Sequence, residues 1–202
     1  MAKQSRSLET QEKLLQAAAD FLRTNDEALL RITDLSQITE TNISTLYYQF
    51  GSREELIEEA YIKLYRDYLE PEIMGLKLLG ESTLDGSRIK EAIVASIIEN
   101  SNAKERLIRR TLQLRIFAAA SLRPSLQEKL GKVQTEYSDA LEAFFKSLQV
   151  RKIVRSDISP RMMELMFFSI YASRSFHDFS SIEVTDDEWS KLVAFFLDLF
   201  LI

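Results

Sequence analysis

The chain has 202 residues, of which 46% are hydrophobic and 28% are charged, and it contains no cysteine. This composition excludes a wholly disordered chain, disulfide bonds, thiolate catalysis and cysteine-ligated zinc. The formal net charge of −5 disfavours non-specific attraction to nucleic acid or to anionic membranes. The first residues, MAKQSRSLETQEK, lack the apolar stretch of a secretory signal, and the most apolar run, LVAFFLDLFLI, is too short to span a bilayer. We therefore expect a cytoplasmic protein without a membrane partner.

Apolar residues recur at helical spacing along the chain, and no segment shows the alternation of a strand. The pattern predicts helices over residues 8–24, 32–39, 43–49, 52–79, 85–100, 103–121, 124–148, 159–179 and 186–201. Asn42 is a suitable N-cap, and Ser52 and Glu55 are spaced as a capping box. The predicted fold class is all-α, with three short N-terminal helices, a linker helix and a bundle of five more.

Residues 32–49 have the outline of a helix-turn-helix, whose second helix enters the major groove of DNA. The periodicity directs four apolar side chains inward: Leu35, Ile38, Leu46 and Phe50. Tyr47 and Tyr48 are neighbours that point roughly 100° apart on a helix, so they cannot both be core. A helix N-terminus and tyrosine hydroxyls can bind phosphate without a basic side chain. The alternative is that both rings pack under the next helix.

The order LLQAAADFL…DLSQITETNISTLYYQFGSREEL resembles the N-terminal domain of TetR-family transcriptional regulators over roughly residues 8–60. The segments that carry the resemblance are Ala17-Ala18, Asp34-Leu35-Ser36, Thr45-Leu46-Tyr47-Tyr48-Gln49-Phe50 and Ser52-Arg53-Glu54-Glu55-Leu56. They match the family's Thr-Leu-Tyr-x-x-Phe recognition helix and its Ser-Lys-Glu-Glu-Leu fourth-helix start. The resemblance implies a helix-turn-helix domain at residues 1–51 and an effector-binding and dimerisation domain at residues 52–202.

A palindromic double-stranded DNA operator is the partner that this resemblance implies. The candidate DNA-binding residues are Lys3, Arg6, Thr33, Asn42, Ile43, Ser44, Thr45, Tyr47, Tyr48, Gln49 and Arg53. We expect the tyrosines and Arg53 to contact phosphates, and Thr33, Ile43, Ser44 and Thr45 to face base edges.

Two features depart from the family pattern. The turn reads Glu40-Thr41-Asn42 where the family has Gly-Val-Ser, so Glu40 is expected in the left-handed conformation that glycine favours. Residues 1–55 hold six basic and nine acidic residues, a net charge of −3. Because phosphate contacts supply much of the affinity for DNA, we expect a shallow salt dependence of binding.

The last two predicted helices are apolar on nearly every face, which requires burial on all sides. The last helix of a chain this size is ordinarily peripheral, so pairing with a second copy resolves the conflict; a fully internal core is the alternative. The predicted homodimer interface comprises Met162, Met166, Ser169, Ala172, Ser173, Phe176, Trp189, Leu192, Val193, Phe196 and Phe200.

Apolar and aromatic side chains of the central helices predict a cavity for a flat or greasy effector. The candidate lining residues are Tyr61, Tyr65, Tyr68, Leu112, Phe117, Tyr137, Leu141 and Phe144, for each of which core packing is the alternative. Arg109, Arg110 and Arg115 could meet an anionic group of the effector, or be solvated or salt-bridged. With one histidine and no cysteine, we expect no transition metal and no cofactor.

The functional hypothesis is a ligand-responsive repressor, released from its operator when a small apolar or aromatic effector moves helix 52–79. The alternative is a helical, dimeric ligand-binding or interaction module that does not bind DNA, which the acidity of the N-terminal domain favours. An enzyme is not expected, because neither a Ser-His-Asp arrangement nor a carboxylate pair stands out.

Overall fold

The structure is a computed structural model that describes residues 2–99 and 103–202, with side chains for all of these except residues 2–6, 97–99 and 103. Over this part of the chain the fold is all-α, as predicted. Its helices are α1 Ala2–Thr24, α2 Ile32–Thr39, α3 Ile43–Phe50, α4 Arg53–Glu81, α5 Gly86–Glu99, α6 Ala103–Leu122, α7 Pro124–Val150, α8 Pro160–His177 and α9 Asp186–Asp198. Two features were not predicted: a 3-10 helix, Glu27–Leu29, and an isolated antiparallel bridge between Val154 and Leu201.

Side chains at two helix starts explain why α4 and α8 begin within one residue of the predicted positions, whereas α1 begins six residues earlier than predicted. The Ser52 Oγ accepts a hydrogen bond from the Glu55 N–H at 3.0 Å, and the Ser159 Oγ accepts one from the Met162 N–H at 3.2 Å. Each satisfies an N–H that has no partner within its helix. Asn42 occupies the predicted N-cap position of α3, but its side chain makes no capping hydrogen bond.

The chain divides into two compact units. The first comprises Met1–Tyr68 and Arg115–Gly131, and the second comprises Leu69–Leu114 and Lys132–Ile202. The predicted domain boundary after residue 51 does not coincide with this division. The reason lies in α4, whose N-terminal part buries an apolar face within the first unit.

The core of the first unit is built where α1 packs against α2 and α3. Its buried side chains include Leu14, Ala18, Leu22, Leu35, Leu46, Phe50, Leu56 and Ile57. The prediction that Ile38 faces inward is wrong, since Ile38 is 69% exposed. Thr39 takes the inward position one turn after Leu35, and its Oγ1 donates a hydrogen bond to the Leu35 carbonyl at 2.6 Å.

The second unit has its own apolar core. Its buried residues include Ile89, Ile93, Leu141, Phe144, Phe145, Leu148, Met163, Phe167, Trp189, Val193, Leu197 and Phe200. The Phe145 ring meets the rings of Phe167 and Phe200 edge-on, at centroid distances of 6.1 and 5.7 Å. α5 packs against α9. None of the helices that the structure describes has the length and apolarity that a membrane span needs.

Candidate nucleic-acid interface

The turn between α2 and α3 is fixed by hydrogen bonds across it. The Ser36 Oγ donates to the Thr41 carbonyl at 2.6 Å, and the Thr41 N–H donates to the Ser36 carbonyl at 3.0 Å. Glu40 adopts the left-handed conformation, with φ 52° and ψ 34°, which confirms the prediction from the sequence. These contacts set the direction in which α3 leaves the turn.

Gly51 ends α3 and starts the turn into α4. Its φ is +77°, a conformation that residues with a side chain rarely adopt, and its N–H donates to the Tyr47 carbonyl at 2.9 Å. A Cβ at this position would collide with the Glu55 carboxylate. Because the Glu55 side chain is flexible and can move aside, it is the positive φ that requires glycine between α3 and α4.

The outer face of α3 presents aromatic and hydroxyl side chains. Tyr48 is 84% exposed and Tyr47 is 46% exposed, so the alternative in which both rings pack under the next helix is not observed. Ile43 and Ser44 are also exposed, whereas Thr45 is half-buried. Four predicted contact residues thus share an accessible surface, and Asn42 is exposed beside them.

Two predicted DNA-contacting side chains make contacts within the chain instead. The Arg53 Nε donates to the Leu30 carbonyl at 2.9 Å, and its terminal nitrogen donates to the Glu27 carbonyl. The Gln49 amide donates to the Ser7 Oγ at 2.7 Å and to the Ser7 carbonyl at 3.3 Å. Gln49 therefore ties α3 to α1, and Arg53 holds the connection between α1 and α2. Both side chains therefore position the motif within the chain, and their contact with DNA stays a prediction.

A basic residue that the sequence analysis missed lies at the start of α2. Arg31 is the N-cap residue of α2 and is exposed, and the part of the chain that the structure describes shows no side-chain partner for it. Because Arg31 immediately precedes the first helix of the motif, its position in the sequence could have identified it as a candidate DNA contact. Thr33 is exposed two positions later, with its Oγ1 donating to the Asp34 carboxylate at 3.2 Å. Lys3 and Arg6, which were also predicted to contact DNA, are among the residues whose side chains the structure does not describe.

The predicted effector residues are divided between the two units. Tyr61, Tyr65, Tyr68 and Phe117 lie in the first unit, and Leu112, Tyr137, Leu141 and Phe144 lie in the second. Tyr65 is buried and meets the Phe117 ring edge-on at 5.7 Å. Burial, followed by the Glu27 carboxylate, raises the pKa of Tyr61 to about 12. Leu141 is fully buried in the core of the second unit.

An apolar cavity lies within the second unit, and of the predicted effector residues it is Phe144 that lines it. The other lining residues are Ile89, Lys90, Ile93, Phe145, Leu148, Val154, Leu197, Phe200 and Leu201.

Arg110 forms a two-pronged ion pair with Asp178 at 2.5 and 2.8 Å, in agreement with the alternative that it is salt-bridged. No metal-binding group of acidic or histidine residues occurs among the described residues.

The predicted dimer residues fall into three groups by exposure. Met162, Ser169, Phe176 and Leu192 are exposed, and Met166, Ala172, Ser173 and Phe196 are half-buried. Trp189, Val193 and Phe200 belong to the core of their own subunit, which corrects their assignment to the interface. They are buried because this face of α9 lies against the core. Other exposed apolar side chains in and near α8 and α9 were not among the predicted interface residues; they include Leu165, Phe195 and Leu199.

Solved structures with the same fold cover nearly the whole chain. A TetR-family transcriptional regulator from Mesorhizobium loti is 16% identical, with a TM-score of 0.76 over 98% of this chain and 99% of that one. A TetR-family regulator from Cytophaga hutchinsonii is 13% identical, with a TM-score of 0.73 over 98% of this chain and 97% of that one. A transcriptional regulator from Saccharomonospora viridis, in complex with choline, is 14% identical, with a TM-score of 0.71 over 96% of this chain and 98% of that one.

The sequence matches no protein-family model and no curated protein. At identities this low, the structural similarity establishes the fold, which is that of TetR-family transcriptional regulators. The similarity to this family, which the sequence shows in residues 8–60, thus extends as a similarity of fold over nearly the whole chain.

Proposed function

We propose that this chain, which has the fold of TetR-family transcriptional regulators, is a homodimeric regulator that binds operator DNA through α3. The observation that carries the proposal is the exposed face of α3, on which Tyr47 and Tyr48 project outward. That face is held in a defined direction by the Ser36–Thr41 hydrogen bonds and by the bond from Gln49 to Ser7.

The chemistry of this face suits DNA. Tyr47, Tyr48 and Arg31 would contact phosphate oxygens, which position a protein on the duplex without reading its sequence. Ser44, Thr45 and Ile43 would face base edges, since a hydroxyl can hydrogen-bond to a base and an isoleucine can contact a thymine methyl group. Lys3 and Arg6 would add phosphate contacts from the N-terminal part of the chain.

A palindromic operator has two half-sites, and a dimer is needed to place one copy of α3 at each of them. α8 and α9 carry exposed apolar side chains that one subunit leaves in contact with water, including Phe176 at 68% and Phe195 at 64% exposure. A second copy would cover them and pair two helices from each subunit. A two-fold dimer of this kind reads half-sites about one helical turn, ~34–36 Å, apart.

The finer proposal is a repressor that a small apolar or aromatic effector releases from its operator. The neighbour from Saccharomonospora viridis is in complex with choline, which supports a small organic effector for this fold. In the second unit the rings of Phe144, Phe145 and Phe200 line an apolar cavity, and such a lining suits an apolar or aromatic effector. For release, the protein must have two conformations, of which only one binds DNA. The effector must have the higher affinity for the conformation that does not bind DNA.

Selection of binding sites from random double-stranded DNA, with the full-length protein and no effector, tests the proposal. We expect one enriched sequence with two-fold symmetry. Tyr48→Phe should weaken binding to every sequence alike, by about 1 kcal/mol for one hydrogen bond. Ser44→Ala should change which bases are preferred.

If no symmetric sequence is enriched, the proposal fails. The alternative, a helical dimer that binds ligands or partners without DNA, would then be favoured. The acidic balance of residues 1–55 and the internal role of Arg53 are the observations that support that alternative.

A further inference from the structure

The connection between α1 and α2, residues 25–31, is held by arginines that lie far away in the sequence. Arg115, on α6, donates from one terminal nitrogen to the Asn25 carbonyl and from the other to the Leu22 carbonyl, both at 2.6 Å. The second nitrogen also reaches the Arg23 carbonyl at 3.2 Å. Carbonyls in the last turn of a helix lack partners within the helix and carry partial negative charge. Arg115 therefore caps α1 from another helix.

Two further arginines hold the same connection around Glu27. Arg123, between α6 and α7, forms a two-pronged ion pair with the Glu27 carboxylate, one bond of which measures 3.0 Å. Hydrogen bonding to Glu27 raises the pKa of Arg123. Arg53 binds the carbonyls of Glu27 and Leu30, as described above. Since Arg53 and Arg115 bind carbonyl groups, they fix the path of the main chain itself.

The start of α7 is fastened to α4 in the same unit. Glu58 is a buried carboxylate that accepts a hydrogen bond from the Ser125 Oγ at 2.6 Å and one from the Lys129 Nζ at 3.1 Å. Lys129 also pairs with Glu59 at 2.7 Å. Residues 115–131 are thus tied both to the α1–α2 connection and to α4.

We infer that Arg115 and Arg123 are positioning residues for DNA binding, although neither belongs to the helix-turn-helix. By fixing residues 25–31 they set where α2 begins, and with it the positions of Arg31 and Thr33, which are proposed to contact DNA. This inference rests on the proposed function. It extends the DNA-binding unit to residues 115–131, so that a change in those residues alters operator affinity without touching DNA.

Amide hydrogen exchange tests the contacts without DNA. In the full-length protein, Arg115→Gln and Arg123→Gln should each speed exchange in residues 22–33 while leaving exchange in α5 and α9 unchanged. Arg88→Gln is the matched control, because Arg88 is an exposed arginine of α5 and its replacement changes the charge equally. Unchanged exchange in residues 22–33 in both variants would overturn the inference. Arg123→Gln is the milder variant, since its ion pair is partly exposed.

Titration of the enriched DNA site tests the consequence. Arg115→Gln and Arg123→Gln should bind that site about tenfold more weakly, which corresponds to about 1.4 kcal/mol. The slope of log K against log salt should stay that of the wild type, because neither arginine contacts phosphate. A Glu27→Gln/Arg123→Gln double variant should bind no more weakly than Arg123→Gln alone, because the Glu27–Arg123 ion pair is already lost in the single variant.

The outcomes separate the inference from the proposed function. A wild-type protein that enriches no DNA site overturns the proposed function, whereas the exchange measurement still reports on the arginine contacts. Wild-type affinity in both variants, or a shallower salt slope, overturns the inference and leaves the proposed function standing.

Discussion

Glu40 shows how one residue can be both strained and required. Its φ of 52° lies in the left-handed region, which costs a residue with a side chain roughly 1–2 kcal/mol. The turn needs this conformation because the next residue, Thr41, must return its N–H to the Ser36 carbonyl. The motif pattern has glycine at this position, which is why the strain could be predicted from the sequence.

Replacing Glu40 separates backbone strain from charge. Glu40→Gly should raise the free energy of unfolding in urea by about 1 kcal/mol, because glycine adopts this conformation without a steric penalty. Glu40→Gln keeps the side chain and should give no such gain. Both variants remove a negative charge beside α3, so both should tighten binding to DNA to a similar extent. Equal stabilisation by the two variants would show that charge, rather than conformation, limits stability at this turn.

Other residues could not be assigned from the sequence alone. A guanidinium donates equally well to a phosphate oxygen or to a main-chain carbonyl, and Arg53 uses two carbonyls that lie more than 20 residues earlier in the chain. Gln49 likewise reaches Ser7, 42 positions away. Tyr48 was easier to place, because it lies two positions after the inward-facing Leu46 and so points to the opposite side of α3.

At the scale of elements, periodicity and capping residues account for the agreement between predicted and observed helices. The 3-10 helix Glu27–Leu29 was not predicted, because a segment of three residues is too short to show a periodic pattern. Its start is held by the Asp26 side chain, which accepts a hydrogen bond from the Ala28 N–H at 2.8 Å. For α9 the sequence showed only that most faces are apolar. The structure separates a core face, with Val193, from an exposed face, with Phe195.

The division of α9 into two faces makes the dimer testable at one residue. Phe195→Glu should yield a monomer, because the substitution would bury an unpaired charge in the interface while sparing the subunit core. Phe196 is a poorer choice, since its ring meets the buried Phe200 ring edge-on at 5.0 Å. Sedimentation velocity at micromolar concentration measures the change.

Leu78→Glu is the control for this substitution, since Leu78 is an exposed leucine of α4 and introduces the same charge. We expect the Leu78 variant to sediment with the wild type, at twice the chain mass of 23.4 kDa. A Phe195→Glu protein that remains dimeric would place the interface elsewhere on the surface.

At the scale of the molecule, the sequence indicated two functional parts but not how the chain is shared between the compact units. The expected boundary after residue 51 followed the motif, whereas residues 115–131 join the first unit through contacts such as Arg115 to Leu22, 93 positions apart. Contacts between residues so far apart in the chain produce neither a periodic pattern nor a capping motif that could be recognised in the sequence. The candidate effector residues were predicted to line a cavity or to pack in the core, but their division between two units depends on the same long-range packing.

Two copies of α3 that contact one operator should leave a symmetric footprint on the DNA. Hydroxyl-radical footprinting of the enriched duplex with the full-length protein measures this directly. We expect two protected segments related by two-fold symmetry, with centres about 10–10.5 base pairs apart or a whole multiple of that spacing. A single unrepeated segment, or no protection at saturating protein, would contradict it.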